Sequence, residues 1–355
     1  MYARQFAIDL SEAITVPTSM KFSRRSFIVM SLALAACKRG ANVLELSGST
    51  MGTSFSVVAV DHEGAADKAA VSRAIDTALA QVNQQMSNWD AGSEVSRFNA
   101  ARTTGPIAVS PELGEVVSAA LDVHAASDGQ FDITLGSAIE AWGFGATGAA
   151  DGREPSAALL AAAAGTHGLS IEGGAVRKAH PETQIYLSSI GKGFGVDQVA
   201  GALRGFGLKD FMVEIGGDLY VSGNNADGQP WQIGIESPDA LSRQAYDIAS
   251  ISNLGMATSG DYRNYFEKDG ARYSHILDAR TGRPVTHNTA SVTVLAENAM
   301  LADAWATALL AVGTERGLEI ANQRDLAAMF IDRDGKADHV GYTRAESARF
   351  AALKA

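Results

Sequence analysis

The chain has 355 residues, 46% of them hydrophobic and 19% charged, with a formal net charge of −11. That length suffices for one large domain or two ordinary ones, and the composition suits a packed soluble core. The acidic balance excludes a general nucleic-acid binder, which needs a basic face to displace counterions, and no central apolar run reaches the roughly 18 residues that would suggest several membrane spans.

The N-terminus reads as an address. Residues 21–40, KFSRRSFIVMSLALAACKRG, place Arg24-Arg25 before an apolar stretch from Phe27 to Ala36, followed by Cys37. The apolar run is too short to span a bilayer, and the layout is that of a signal peptide. SRRSFI resembles the twin-arginine export signal. LAAC, Leu34 to Cys37, resembles a bacterial lipobox, in which cleavage leaves Cys37 as a lipidated N-terminus. Residues 1–19 carry Asp9 and Glu12, unlike a basic signal start, so translation begins at Met1 or at Met20. The expected organisation is a signal region over 1–36, a short tether over 37–48 and one domain over 49–355, on the periplasmic side of a bacterial membrane. Cys37 is the sole cysteine, which leaves no intrachain disulfide and no cysteine-based zinc site.

Within the body, SFSVVAV (54–60) alternates as a strand, and apolar residues at helical spacing predict a helix over 66–86. Ser110 as N-cap and Pro111 in the first turn start a second helix that stops at Gly129. Residues 155–165 are Ala-rich and helical in pattern. Short strands are expected near 169–187, then a helix over 191–205. Strands follow at 210–215, 218–223, 231–236, 246–252 and 272–277. SVTVLA (291–296) feeds a helix over 298–312. Strands come in runs, partly as hairpins, so the fold class is α+β.

Three stretches carry candidate chemistry. LSSIGKGFGVDQVA (187–200) enters a helix with Gly191, Gly193 and Gly195 two apart and Lys192 between the first pair. Bare backbone N–H groups at a helix start suit an anion, and Lys192 adds a point charge for phosphate. The same residues also describe a helix N-terminus with loose glycines. In NAMLADAWATALLAVG (298–313), Asp303 and Thr307 share one helix face. They offer two hard oxygens to Mg²⁺ or simply a local hydrogen bond. In ATSGDYRNYFEKDGARYSHILDARTGRP (257–284), DG at 269–270 predicts a hairpin turn that puts His275 on the returning strand. There it serves as a proton carrier near neutral pH or as a tie for the turn. Trp89 and Trp142 beside polar or glycine turns are stacking platforms for a heterocycle or core residues.

Taken in order, these segments resemble the ApbE family of FAD:protein FMN transferases. The resemblance runs from GSTMGTSFSV near Ser49 to about Gly313, through MSNWDAGSEVSRFN, FDITLGSAIEAWGFG, LSSIGKGFGVD, EIGGDLYVSG, RYSHILDARTG and AMLADAWATALL. It implies a single large α+β domain with mixed, mostly antiparallel sheets and packed helices. It implies a metal site on Asp303, Thr307 and the carbonyl of Ser189, with flavin contacts on Met51, Trp89, Trp142, Gly143, Phe144, Tyr186, Lys192 and Ile276. His275, in the SHI motif, is the implied catalytic residue. The implied reaction cuts FAD with Mg²⁺, passes FMN to a Thr or Ser hydroxyl of a partner and releases AMP. The implied partner is a flavin-carrying subunit of a membrane redox complex. Two other readings of the same groups are an FAD pyrophosphatase, with water as acceptor, and a non-catalytic periplasmic flavin-binding lipoprotein. The chain departs from the family at Tyr186, where Asp is usual in contact with the nucleotide. It also departs at Gly191, usually Ala, and at Ile133 and Ala279, usually Pro.

Overall fold

Eight strands form the central sheet, and their order across it is their order along the chain. They are β1 (Asn42–Thr50), β2 (Thr53–Asp61), β3 (Asp210–Ile215), β4 (Asp218–Ser222), β5 (Leu254–Gly260), β6 (Thr289–Ala296), β7 (Ala327–Arg333) and β8 (Tyr342–Glu346). Each neighbouring pair is antiparallel, in line with the expected α+β class and its mostly antiparallel sheets. The structure is a computed structural model that describes residues 42–354 except 147–153, 158–159, 161–167, 240–243, 269–270 and 336–340. The signal region, Cys37, most of the helix expected over 155–165 and the DG turn lie outside the described residues.

The sheet is covered on both faces, and β2 shows how. Phe55, Val57 and Ala59 point to one side, where they meet Val71, Ile75 and Leu79 of helix α1 (Lys68–Met86). Val58 points to the other side, into a cluster with Trp231, Ile233, Ile251 and Phe350. That second cluster is supplied by the hairpin of Trp231–Glu236 with Ala245–Ile251 and by the helix Ala348–Lys354. The alternation read in 54–60 is therefore an alternation between two cores.

Helices α2 (Pro111–Ala126), α3 (Gly191–Gly205) and α4 (Ala299–Val312) are among those that also cover the first face. Ser110 caps α2 as expected, its hydroxyl accepting from the Leu113 N–H at 3.3 Å. The start of α4 is capped twice. Asn298 accepts from the Leu301 N–H, and Asp197 of α3 accepts from the N–H groups of Ala299 and Met300 at 3.0 and 2.9 Å. Burial raises the Asp197 carboxyl to about 6, with its two backbone donors pulling it down.

Two expectations need correction. Residues 42–48, assigned to a tether, are strand: β1 pairs with β2 from Asn42↔Asp61 to Thr50↔Thr53. The tether reading followed the start of the family motifs, which coincides with the end of β1. The strand expected over 272–277 breaks. Ala271–Ser274 pairs with Tyr265–Lys268, while Leu277–Asp278 pairs with Arg283–Pro284. His275 and Ile276 stand in the gap between the two hairpins.

Candidate active site

The start of α3 is the centre of the site. Lys192 lies one residue inside the helix, and its ammonium is ion-paired to Asp218 at the first position of β4. The same ammonium is 3.6 Å from Asp303 on α4. The other Asp303 oxygen accepts from the Gly193 N–H at 3.1 Å. Asp218 and Asp303 are 2% and 3% exposed, whereas 32% of the Lys192 side chain stays open to solvent. Burial works against the charge on Lys192, but the two carboxylates outweigh it and hold the ammonium firmly protonated. Burial, reinforced by Asp218 and opposed by Lys192, raises the Asp303 carboxyl well above the usual carboxylate range. With both carboxylates ionised, two negative charges share one ammonium, and one of them has no counter-ion of its own.

That surplus charge and the oxygen donors beside it fit Mg²⁺. Thr307, one turn beyond Asp303, has its hydroxyl 2.9 Å from that of Ser259 on β5. Ser189 is half-buried in the turn that leads into α3. Among the described residues no three His, Cys, Asp or Glu side chains gather as a metal cage. A site with few protein oxygens suits Mg²⁺, which keeps positions for water and phosphate.

The glycines of α3 do less for a ligand than their spacing suggests. A Cβ on Gly193 would collide with the backbone of Ala299 and Met300, so this glycine lets α3 and α4 touch. A Cβ on Gly195 would strike the terminal methyl of Met51. Met51 and Gly52 form the two-residue turn between β1 and β2, with φ of 49° and 71°, as a turn of this hand requires. The turn swings the Met51 side chain onto α3. Two of the three glycines thus serve protein packing rather than a phosphate cradle.

An aromatic wall stands beside this centre. Trp89 is 61% exposed, with its ring edge-on to buried Tyr186 at 6.3 Å between centroids. The Tyr186 ring lies against Gly136, and its hydroxyl accepts from the Ala146 N–H at 3.3 Å. Phe144 stacks on Phe266 at 5.9 Å and meets His275 edge-on at 6.3 Å. Trp142 is different: its indole is buried, donates to the Gly282 carbonyl at 2.8 Å and stacks on Tyr273 at 5.7 Å. It braces the wall from behind, and its ring is not an open platform. Gly143, at φ 80°, makes the turn that separates buried Trp142 from half-buried Phe144. The Ile276 side chain is buried, and its carbonyl accepts from the Val285 N–H at 3.0 Å.

His275 is half-buried, and its Nδ1 lies 3.1 Å from the carbonyl of Asn264. A carbonyl only accepts, so Nδ1 carries the proton and Nε2 keeps its lone pair. Burial lowers the imidazole pKa below its ordinary value. The Asn264 carbonyl and Asp261 pull it up, and Lys192 pushes it down. His275 therefore lies within electrostatic reach of the Lys192 cluster. The neutral, base-competent form prevails near pH 7.

Lys192, Asp218 and Asp303 thus meet where α3 touches α4, with Met51 over α3 and His275 beside Phe144, while Thr307 lies one turn further along α4 and Ser189 in the turn before α3. Sequence reasoning missed Asp218 and Asp197. The signal for Asp218 was the Gly-Gly turn before it, with Gly216 and Gly217 at φ 59° and 102°, which starts β4 on a carboxylate.

The ApbE family model matches residues 51–330. The chain belongs to the ApbE family. It is 42% identical over 302 residues to an FAD:protein FMN transferase of Vibrio cholerae, covering 84% of this chain and 90% of that one. It is 38% identical over 316 residues to one from Haemophilus influenzae, covering 86% and 91%. Among solved structures, the flavin transferase ApbE from Vibrio cholerae superimposes with a TM-score of 0.80 at 38% identity, over 88% of this chain and 99% of that one. The apo flavinyl transferase ApbE of Pseudomonas stutzeri does so with a TM-score of 0.80 at 36% identity, over 88% and 97%.

Proposed function

We infer that this chain is an FAD:protein FMN transferase. The observation that carries the reading is the charged centre of Lys192, Asp218 and Asp303 beside a neutral His275, in a chain 42% identical to a transferase of that name. In the reaction, an acceptor Thr or Ser oxygen attacks the FMN-side phosphorus of the FAD pyrophosphate. The bond to the AMP-side oxygen breaks, and AMP leaves. His275 Nε2 takes the hydroxyl proton. Lys192, held by two carboxylates with its side chain partly open to solvent, offers its ammonium to a phosphate oxygen. Bound on Asp303, Thr307 and the Ser189 carbonyl, Mg²⁺ would neutralise charge on the phosphates. Trp89, Tyr186, Phe144 and Met51 line the place for the flavin nucleotide.

The acceptor in this reading is a subunit of a membrane redox complex. The enzyme reaches it as a lipoprotein, exported by the twin-arginine route and held on the periplasmic side of the membrane by Cys37. Incubation of the protein with FAD and Mg²⁺, with and without a threonine-containing acceptor peptide, tests the chemistry. FMN fluorescence on the peptide is expected. Free FMN at the same rate without the peptide would mean hydrolysis, and no cleavage would mean a flavin binder.

Position 186 gives a second test. The Tyr186 ring fills the space between Trp89 and Gly136, so Tyr186→Asp should destabilise the fold by about 3 kcal/mol through the cavity it leaves. If Asp is the better partner for the nucleotide, the same variant binds FAD about threefold to tenfold tighter, the worth of one hydrogen bond of ~0.5–1.5 kcal/mol. Thermal melting and calorimetric titration read the two effects separately. Unchanged FAD affinity would remove position 186 from the flavin site.

A further inference from the structure

We propose that the end of the sheet carrying Asn42 faces the bilayer and that the active site opens at the opposite end, so that an acceptor must present its hydroxyl well clear of the membrane surface. The inference rests on the reading of Cys37 as the lipid anchor. Its structural part comes from strand register, with a hydrogen bond and two exposed side chains in agreement.

Asn42 pairs with Asp61, and the adjoining pair Val43↔Val60 continues to Asp210 of β3. This defines one end of the sheet. From there the register runs through Gly48↔Phe55, Phe55↔Ile215 and Ile215↔Asp218. Asp218 is thus six residue steps from Asn42 along the strands, and Met51 is nine steps away. At about 3.3 Å per step, the site stands ~20–30 Å from the end that receives the tether. Thr307 agrees, because it meets β5 at Ser259, next to the strand's far end.

The tether is short. Only Lys38, Arg39, Gly40 and Ala41 separate Cys37 from Asn42. Five residue steps reach at most about 18 Å even when fully extended, less than the length of the strand beyond them. A lipid on Cys37 therefore keeps the Asn42 end at the surface.

The exposed apolar side chains agree. Val43 and Phe206 are two of the four large hydrophobic residues left exposed among the described residues. Val43 is the second residue of β1, and Phe206 leads from α3 into β3, so both belong to this end. Lys68 and Lys209 are exposed here with Glu63 and Asp67. With the charges mixed, the tether and the apolar pair carry the contact with lipid.

The sole cysteine makes the geometry testable without relying on cellular lipidation. The processed chain is coupled through the Cys37 thiol to a maleimide lipid in phosphatidylcholine vesicles. The probe is a threonine peptide that accepts FMN from the uncoupled enzyme in solution. It is fixed to lipid in the same vesicles through a polyproline spacer of about 3 or about 15 residues, ~10 or ~45 Å at ~3.1 Å each. Transfer to the long-spacer peptide is expected to be at least about tenfold faster than to the short one, a ratio of ~1.4 kcal/mol. A Gly-Ser insert of about 20 residues between Ala41 and Asn42, spanning ~25 Å on average, should abolish most of that difference. Equal rates on both spacers with the native tether would overturn the proposal. Detergent partitioning of the protein made in cells, beside Cys37→Ala, tests the anchor separately. Loss of the native protein to the aqueous phase would refute the lipoprotein reading without touching the vesicle result.

Discussion

Asp303→Ala is expected to lower FMN transfer by about a thousandfold or more, the ~4 kcal/mol of transition-state charge stabilisation that a bound cation supplies, while the protein stays folded. Asp303 is the buried carboxylate whose ionised form is least supported by its surroundings, since burial and Asp218 both oppose it. Removing it relieves that cost. Against the relief stands the Gly193 N–H, which loses its acceptor, a penalty of about 1–3 kcal/mol for an orphaned donor. Lys192 keeps Asp218. The net change in stability is therefore small. Asp303→Asn sharpens the test, because an amide oxygen still accepts from Gly193 but brings no charge. Calorimetric titration with Mg²⁺, thermal melting and peptide flavinylation at limiting Mg²⁺ would be measured on all three proteins. Loss of Mg²⁺ binding and transfer in both variants, with near-native melting of Asp303→Asn, supports the metal role. Wild-type transfer by either variant at limiting Mg²⁺ removes Asp303 from it.

The parts of this site that were legible in the sequence share one property: their meaning is local. Asp303 and Thr307 are neighbours on one helix face, and Lys192 marks a helix start by the residues around it. What was illegible depends on partners far away in the chain. Asp218 gains its role from Lys192, 26 residues earlier, and Asp197 caps a helix 102 residues later. Neither spacing leaves a periodic trace.

The role of the glycines stayed open for a related reason. A helix start with small residues looks the same whether backbone or ligand comes close, and only the position of Ala299 and Met51 decides. Trp142 was ambiguous in the same way until its indole N–H found the Gly282 carbonyl. In the fold, β5 escaped detection because LGMATSG has few β-branched or aromatic residues. Its small side chains are what allow α4 to lie close. A Cβ on Gly255 would strike the backbone of Asn298, so the feature that hides the strand is the one that seats α4.

His275→Ala is expected to slow FMN transfer by about 10²–10⁴-fold, the usual contribution of a positioned general base, with FAD affinity nearly unchanged. The hydrogen bond from Nδ1 to the Asn264 carbonyl fixes the tautomer and leaves Nε2 to take a proton. The pH dependence tests this more sharply than the rate. Burial lowers the His275 pKa below its ordinary value, about 6.5 in model peptides. The neutral base is the form present above that pKa. Activity should therefore be level near neutrality and fall only as pH drops through a midpoint under about 6.5. His275→Gln separates base from brace: its amide can still donate to Asn264 but cannot accept a proton at neutral pH. Both variants should lose the acid limb, and the glutamine protein should keep wild-type FAD binding and melting temperature. The measurement is kcat/KM for peptide flavinylation across pH 5 to 8, about the range over which histidine titrates, at saturating Mg²⁺. An acid limb with the same midpoint in His275→Gln would show that another group takes the proton, and His275 would then be only the tie between the two hairpins it separates.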